Sequence, residues 1–224
     1  VLAPLEEHSH PCWRCGQPNQ EQEQEQAPSL FCRYCNSLQA PKPDYFRFFG
    51  ITKRLVMDED DLQRRFYSLS RLLHPDRYTR SSENERIFSL EATAILNDGY
   101  RTLRNSVSRA EYVLREAGFD IGEQRTKDVP PELLEEVFEL NMTLDELRSG
   151  DDDVLPQLIE SRAHFGELLA EIDESMQRSF ESYDIAPEDA RQAVLANLRA
   201  ILNRRRYIRN LISEVDKELA GRQA

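Results

Sequence analysis

The chain is short of turn-formers: 8 Gly and 11 Pro in 224 residues. A sandwich or barrel, which turns every ten residues or so, is excluded on that ground. No apolar run approaches the ~20 residues a membrane span requires, so no membrane partner is expected. Basic charge is also scarce, with 29 Lys and Arg against 41 Asp and Glu and a net charge of −12. So acidic a chain repels a phosphate backbone, and no nucleic acid is expected as its main ligand. The start, Val1-Leu2-Ala3-Pro4-Leu5-Glu6-Glu7, has neither the basic head nor the apolar core of a secretory signal. That start and the preference for Arg over Lys lean towards a bacterial cytoplasm, with the mitochondrial matrix after removal of a presequence as the alternative. No pairing of nucleophile and base and no Gly-rich phosphate loop stands out, so no enzyme is expected.

What is present is helix. The composition, 31% charged and 39% hydrophobic, suits an elongated all-α protein with much surface. Four segments follow from shifts in composition. Residues 1–40 hold all 4 Cys and the polar run Glu21 to Gln26, which reads as a solvated loop. Ala40-Pro41-Lys42-Pro43 is a stiff linker. Within a domain set at 41–118, residues 44–118 carry helical periodicity: Leu62, Phe66, Leu69 and Leu73 in one stretch, and Phe88, Ala92, Ile95, Leu96, Gly99 and Leu103 in the next. A short helix is expected from Arg109 to Ala117, capped by Gly118. After a polar linker at 119–129, residues 130–224 show three helical patterns, broken at Ser149-Gly150 and Pro187, that predict an antiparallel three-helix bundle.

Cys12-x-x-Cys15 and Cys32-x-x-Cys35 form two thiolate pairs, each able to aim two sulfurs at one point. The pattern predicts a closed, structural zinc knuckle; a tetrathiolate iron site would use the same ligands. Two disulfides would need an oxidising compartment, for which no signal exists. A segment this polar has no core of its own, and a structural zinc supplies roughly 10–16 kcal/mol of folding energy. His8 and His10 lie nearby as spectators.

Leu73-His74-Pro75-Asp76-Arg77 falls where a helix has ended, and Pro75 forbids its continuation. His74 and Asp76 are therefore expected on a rigid exposed turn. On a helical wheel the stripe from Leu62 stays within about 40°, while Arg64 and Arg71 fall near 200° and 180°. A cationic row thus leads to the turn. Asp44-Tyr45-Phe46, Phe49-Gly50, this helix, the His-Pro-Asp turn and the following helix resemble a DnaJ-type J-domain. The resemblance implies docking on the ATPase of a DnaK-type heat-shock chaperone through His74, Pro75 and Asp76, aided by Arg64, Arg65, Arg71 and Arg77. Arg77 stands where many relatives have Lys.

In the first C-terminal helix the stripe from Leu133 stays within about 40° of zero, but Leu134, Phe138 and Met142 fall at about 100°, 140° and 180°. In the last helix Tyr207 points about 140° from the stripe that begins at Val194. These surplus hydrophobes either pack elsewhere or form a client patch. Cys12-Trp13-x-Cys15-Gly16, Phe31-Cys32-x-x-Cys35, Arg109-Ala110-Glu111-Tyr112 with Gly118-Phe119, and Glu139-Leu140 with Leu144-Asp145-Glu146 resemble the HscB family of iron–sulfur cluster co-chaperones, with a zinc-binding N-terminal extension. The resemblance implies binding of the cluster scaffold protein IscU at Leu134, Phe138 and Tyr207, with Leu133 a further candidate, and the wheel adds Met142 to the same patch. It also implies delivery of IscU to a DnaK-type partner, HscA or its mitochondrial equivalent. The alternatives are a J-domain protein for another client and a zinc-ribbon nucleic-acid adaptor, which the net charge disfavours.

Overall fold

Caps and proline breaks set the helix boundaries. In a computed structural model, residues 10–19, 30–120 and 131–221 are described. The run Glu21–Gln26, His8 and most of the expected linker at 119–129 lie outside them. The chain divides into two compact units, Val1–Arg109 and Ala110–Ala224.

In the first unit, β1 (His10–Pro11) pairs antiparallel with β2 (Pro18–Asn19). Helix α1 (Tyr45–Phe49) is capped by the Asp44 carboxylate, which accepts from the Arg47 N–H at 3.0 Å, and closes at Gly50 with φ of 64°. Its three phenylalanines, Phe46, Phe48 and Phe49, are buried. Helix α2 (Glu59–Leu73) starts at Asp58, which caps the Asp61 N–H, and its first turn of Glu59, Asp60 and Asp61 suits the positive end of the helix dipole. Helix α3 (Glu83–Arg104) opens on Ser82, whose hydroxyl accepts from the Glu85 N–H and donates to its carboxylate.

Helices α2 and α3 run antiparallel: the Ser89 hydroxyl reaches Leu73 O near one end, and Phe66 stacks on Tyr100 at 4.3 Å near the other. The expected stripes are found on the inner faces, with Leu62, Leu73, Ala92, Leu96, Gly99 and Leu103 buried. Gly99 is there for room. A Cβ at this position would lie 3.0 Å from both the Phe49 and the Tyr45 ring. Gly99→Ala should therefore destabilise the fold by about 1–3 kcal/mol in urea unfolding despite its better helix propensity.

Helix α4 (Ser106–Glu116) starts three residues earlier than its apolar pattern predicts. The Asn105 side chain accepts from the Ser108 N–H at 2.9 Å and so nucleates the first turn. The boundary between the units falls inside this helix. Arg109, on the first unit's side, is buried and donates to the carbonyls of Leu55 and Leu103.

The second unit holds α5 (Leu134–Arg148), α6 (Leu155–Ile185) and α7 (Glu188–Gly221). Gly150 (φ 99°) ends α5, and Pro187 stands between α6 and α7. Ion pairs set the directions. Arg162–Asp216 and Arg205–Asp173 make α6 and α7 antiparallel, and the short connection at 149–154 with the His164–Glu136 contact does the same for α5 and α6. The three-helix bundle is uneven, however. At 1.5 Å per residue, α5 is about 22 Å long, while α6 and α7 are about 46 and 51 Å. Helix α5 thus lines only the half of the hairpin away from the Pro187 turn. There Val137, Leu140, Leu144, Leu147, Leu158, Phe165, Ile208, Leu211 and Val215 form one buried cluster.

Candidate functional site

The four cysteines come together on two copies of one local device. Residues 12–16 turn back on themselves through Gly16 N–H to Cys12 O at 2.9 Å, and residues 32–36 do so through Asn36 N–H to Cys32 O at 2.8 Å. Gly16 and Asn36 both adopt positive φ, 70° and 55°. The Arg14 and Tyr34 N–H groups each point at a sulfur, of Cys12 and Cys32, at 3.4 Å. Short backbone pairings, β1–β2 and Phe31–Leu38, close the base of each turn.

All four Sγ atoms lie within 4.8 Å of one another, with 3.7 Å between Cys12 and Cys35 and 3.8 Å between Cys15 and Cys32. A tetrahedral ion with ~2.3 Å bonds to sulfur would hold its ligands about 3.8 Å apart. The donor set fits a metal ion, and all four are free thiols, not disulfides. Burial alone would raise the Cys12 thiol, but the Ser37 hydroxyl and the N–H groups of Cys15 and Arg14 bring it down to about 5. The Ser37 hydroxyl, 3.1 Å from Cys35 Sγ, and the Ser37 N–H also hold the Cys35 thiol below the ordinary range. Gln39 Nε2 reaches Cys12 Sγ at 3.5 Å and ties down Ser37 O at 2.8 Å. Ser37 and Gln39 are outer-shell residues that ligand spacing alone does not reveal.

The His-Pro-Asp turn is an exposed corner on an anchored base. Pro75 opens a 3-10 turn over Pro75–Tyr78. The His74 and Asp76 side chains are 55% and 86% exposed, and His74 Nδ1 accepts from the Asp76 N–H at 3.3 Å. Beneath them, Tyr78 is buried and its hydroxyl donates to Leu72 O at 3.2 Å. From α3, the Ser89 and Thr93 hydroxyls both donate to Leu73 O, at 2.7 and 3.4 Å. These bonds occupy carbonyls left open at the end of α2.

Along α2, a shallow groove is lined by Arg64, Tyr67, Ser68, Arg71, Leu72 and Arg77. Arg71 and Arg77 make no ion pair among the described residues, and Arg64 pairs with Asp61 at 3.2 Å. Arg65 lies elsewhere. It turns towards α1, binding Asp61 at 2.6 Å and the carbonyls of Phe49 and Gly50 at 3.1 and 2.8 Å. Three of the four expected arginines therefore face the groove, and the fourth is held by the fold. Tyr67 and Leu72 supply exposed apolar surface that the charge pattern does not announce.

In the second unit Leu134, Phe138 and Met142 are 55%, 64% and 50% exposed, one above another on α5. Leu133 is 2% exposed and belongs to the buried cluster, so it offers no surface. Tyr207 departs from the wheel: it is half-buried and packs against that cluster. The reason is that α7 buries two faces. Leu195, Leu198 and Leu202 centre on one, and Ile208, Leu211 and Val215 on another about 140° away. Tyr207 lies about 70° from the second face, at its flank. Burial pushes its phenol up, reinforced by Glu214. Arg148 of α5 binds both Glu214 and Glu218 of the parallel α7. Stepping back along α7 from that anchor brings Tyr207 level with the middle of α5, the height of Phe138.

The described residues thus carry a four-cysteine cluster, an anchored polar corner and an exposed apolar stripe. Residues 129–216 match the family described as HSCB C-terminal oligomerisation domain. The iron–sulfur cluster co-chaperone protein HscB of Homo sapiens is 30% identical over 206 residues, 91% of this chain and 80% of that protein. The co-chaperone protein HscB homologue of Aliivibrio fischeri is 41% identical over 110 residues, 49% of this chain and 64% of its own. The crystal structure of human co-chaperone protein HscB superimposes with a TM-score of 0.69 at 28% identity, covering 92% of this chain and 97% of that one. The chain belongs to the HscB family of co-chaperones.

Proposed function

We propose that this chain binds the iron–sulfur scaffold protein IscU on its second unit and presents it to a DnaK-type chaperone through its first, raising that chaperone's ATPase. Residues 41–118 act as the J-domain and 130–224 as the scaffold-binding domain. The chain performs no hydrolysis itself. The observation that carries the reading is the pair of exposed surfaces with opposite chemistry on different units: a polar, cationic corner at His74–Asp76, and an apolar stripe at Leu134, Phe138 and Met142. A protein that must hold two partners needs two such surfaces.

His74, Pro75 and Asp76 contact the ATPase, with Arg64, Arg71 and Arg77 steering and seating it. Arg65 contributes by keeping α1 and α2 together. Leu134, Phe138 and Met142 form the scaffold patch, with the exposed edge of half-buried Tyr207 as a further contact. A calorimetric titration of the chain against IscU tests the reading: saturable one-to-one binding is expected, and absence of binding would refute it.

The cysteine cluster holds a structural zinc ion, which on binding supplies folding energy to residues 10–19 and 30–39. Cys12, Cys15, Cys32 and Cys35 fill all four positions, which leaves none open for chemistry. Elemental analysis should find about one zinc per chain. Chelation should strip amide protection from residues 12–19 and 30–38. Iron in its place, or a protected metal-free segment, would contradict the assignment.

A further inference from the structure

The ligand loops do more than close on themselves. Trp13, between the ligands Cys12 and Cys15, donates its Nε1–H to Leu38 O at 2.7 Å, so its ring is fixed by the second knuckle as well as the first. That ring meets Phe88 edge-on, with centroids 6.1 Å apart and planes at 74°. Its neighbour Arg14 reaches Glu85 at 3.9 Å. Phe88 and Glu85 lie in the first two turns of α3, where Glu85 also completes the cap with Ser82. The next residue, Ser89, is fully buried and holds Leu73 O, the carbonyl immediately before His74. One stretch of α3 therefore touches the cysteine knuckle through Glu85 and Phe88, and the root of the corner through Ser89.

We propose that the tetracysteine knuckle is a brace for the His74–Asp76 corner, with Trp13 and Phe88 as positioning residues that keep the start of α3, and hence Ser89, in register with Leu73. The proposal rests on the corner being the docking element. A knuckle without its ion loses the fold that orients Trp13. The start of α3 then keeps only its own cap and its packing on α2. The corner remains but samples more conformations, so part of each encounter is spent on ordering it, and the apparent affinity for the chaperone falls. The surfaces on the second unit are untouched by this change.

The test uses the full chain and two readouts. Amide hydrogen exchange is measured over residues 72–90 in the wild type, in Trp13→Ala and in Phe88→Leu, with metal content determined for each. The second variant alters the contact without touching the knuckle. Faster exchange at 72–90 is expected in both variants at full metal content, and Trp13→Phe should restore much of the protection. In parallel, the concentration of chain giving half-maximal stimulation of a DnaK-type ATPase should rise about five-fold, while IscU affinity stays the same. Should Trp13→Ala lose its metal, Phe88→Leu alone decides. Unchanged exchange in a metal-loaded variant overturns the brace, and so does unchanged stimulation alongside faster exchange. If the wild type itself gives no stimulation, the docking reading fails, and the exchange data still report whether the knuckle holds the corner.

Discussion

His74→Gln is expected to abolish stimulation of a DnaK-type ATPase by this chain and to leave its helical circular dichroism unchanged. Both halves of that expectation come from what the imidazole touches. It faces water over more than half its surface, and its contacts are local, to the Asp76 N–H and carboxylate. The corner is held from below, by Tyr78 on Leu72 O and by Ser89 and Thr93 on Leu73 O, and Pro75 fixes its φ. None of these uses His74. Loss of the ring therefore removes a group from the surface without removing a strut from the fold, and surface changes of this kind usually shift stability by less than ~0.5 kcal/mol. Stimulation measured without scaffold isolates the effect from client binding. Undiminished stimulation would mean that the corner is not the docking element.

Phe138→Ala is expected to weaken the proposed IscU binding by about 1–3 kcal/mol, or roughly 5- to 150-fold. The ring stands 64% exposed between Leu134 and Met142, so its truncation opens no cavity. The loss falls on the complex, where an aromatic anchor buries its face against the partner. Leu133 marks the contrast. At 2% exposure, just before α5 begins, it supports the core, and its truncation to Ala would cost about 2–5 kcal/mol of fold stability. A binding defect in the Phe138 variant accompanied by unfolding would place that residue in the core and leave the stripe without a centre.

Much of this was legible in the sequence because the relevant forces are local. Pro75 after α2, Gly150 after α5 and Pro187 after α6 act within a few residues, and these helices end close to where those signals stand. Helix α4 escaped because its start depends on the Asn105 cap, not on an apolar repeat. The paired cysteines were equally plain, since ligand spacing is itself a local rule.

What the sequence hid is tertiary. A single wheel for α7 assumes a single buried face, whereas the helix buries one face over Leu195–Leu202 and another over Ile208–Val215. Tyr207, measured against the wrong half, looked fully outward. Arg65 sits about 60° from the α2 core stripe, which allows it to reach two carbonyls of α1, and its charge alone gave no sign of that use. Trp13 read as part of a cysteine motif. Its contact with Phe88, far along the chain, became visible only with α3 in place.

The central claim is that two independent surfaces of one chain hold a client and an ATPase together. The decisive measurement is ATP turnover by a DnaK-type chaperone, recorded with wild type, His74→Gln and Phe138→Ala, each with and without IscU. Stimulation by wild type is expected to grow on adding IscU, His74→Gln to give none under either condition, and Phe138→Ala to keep the basal stimulation without the IscU-dependent increment. Growth with IscU that survives in Phe138→Ala, or stimulation that survives in His74→Gln, would contradict that claim.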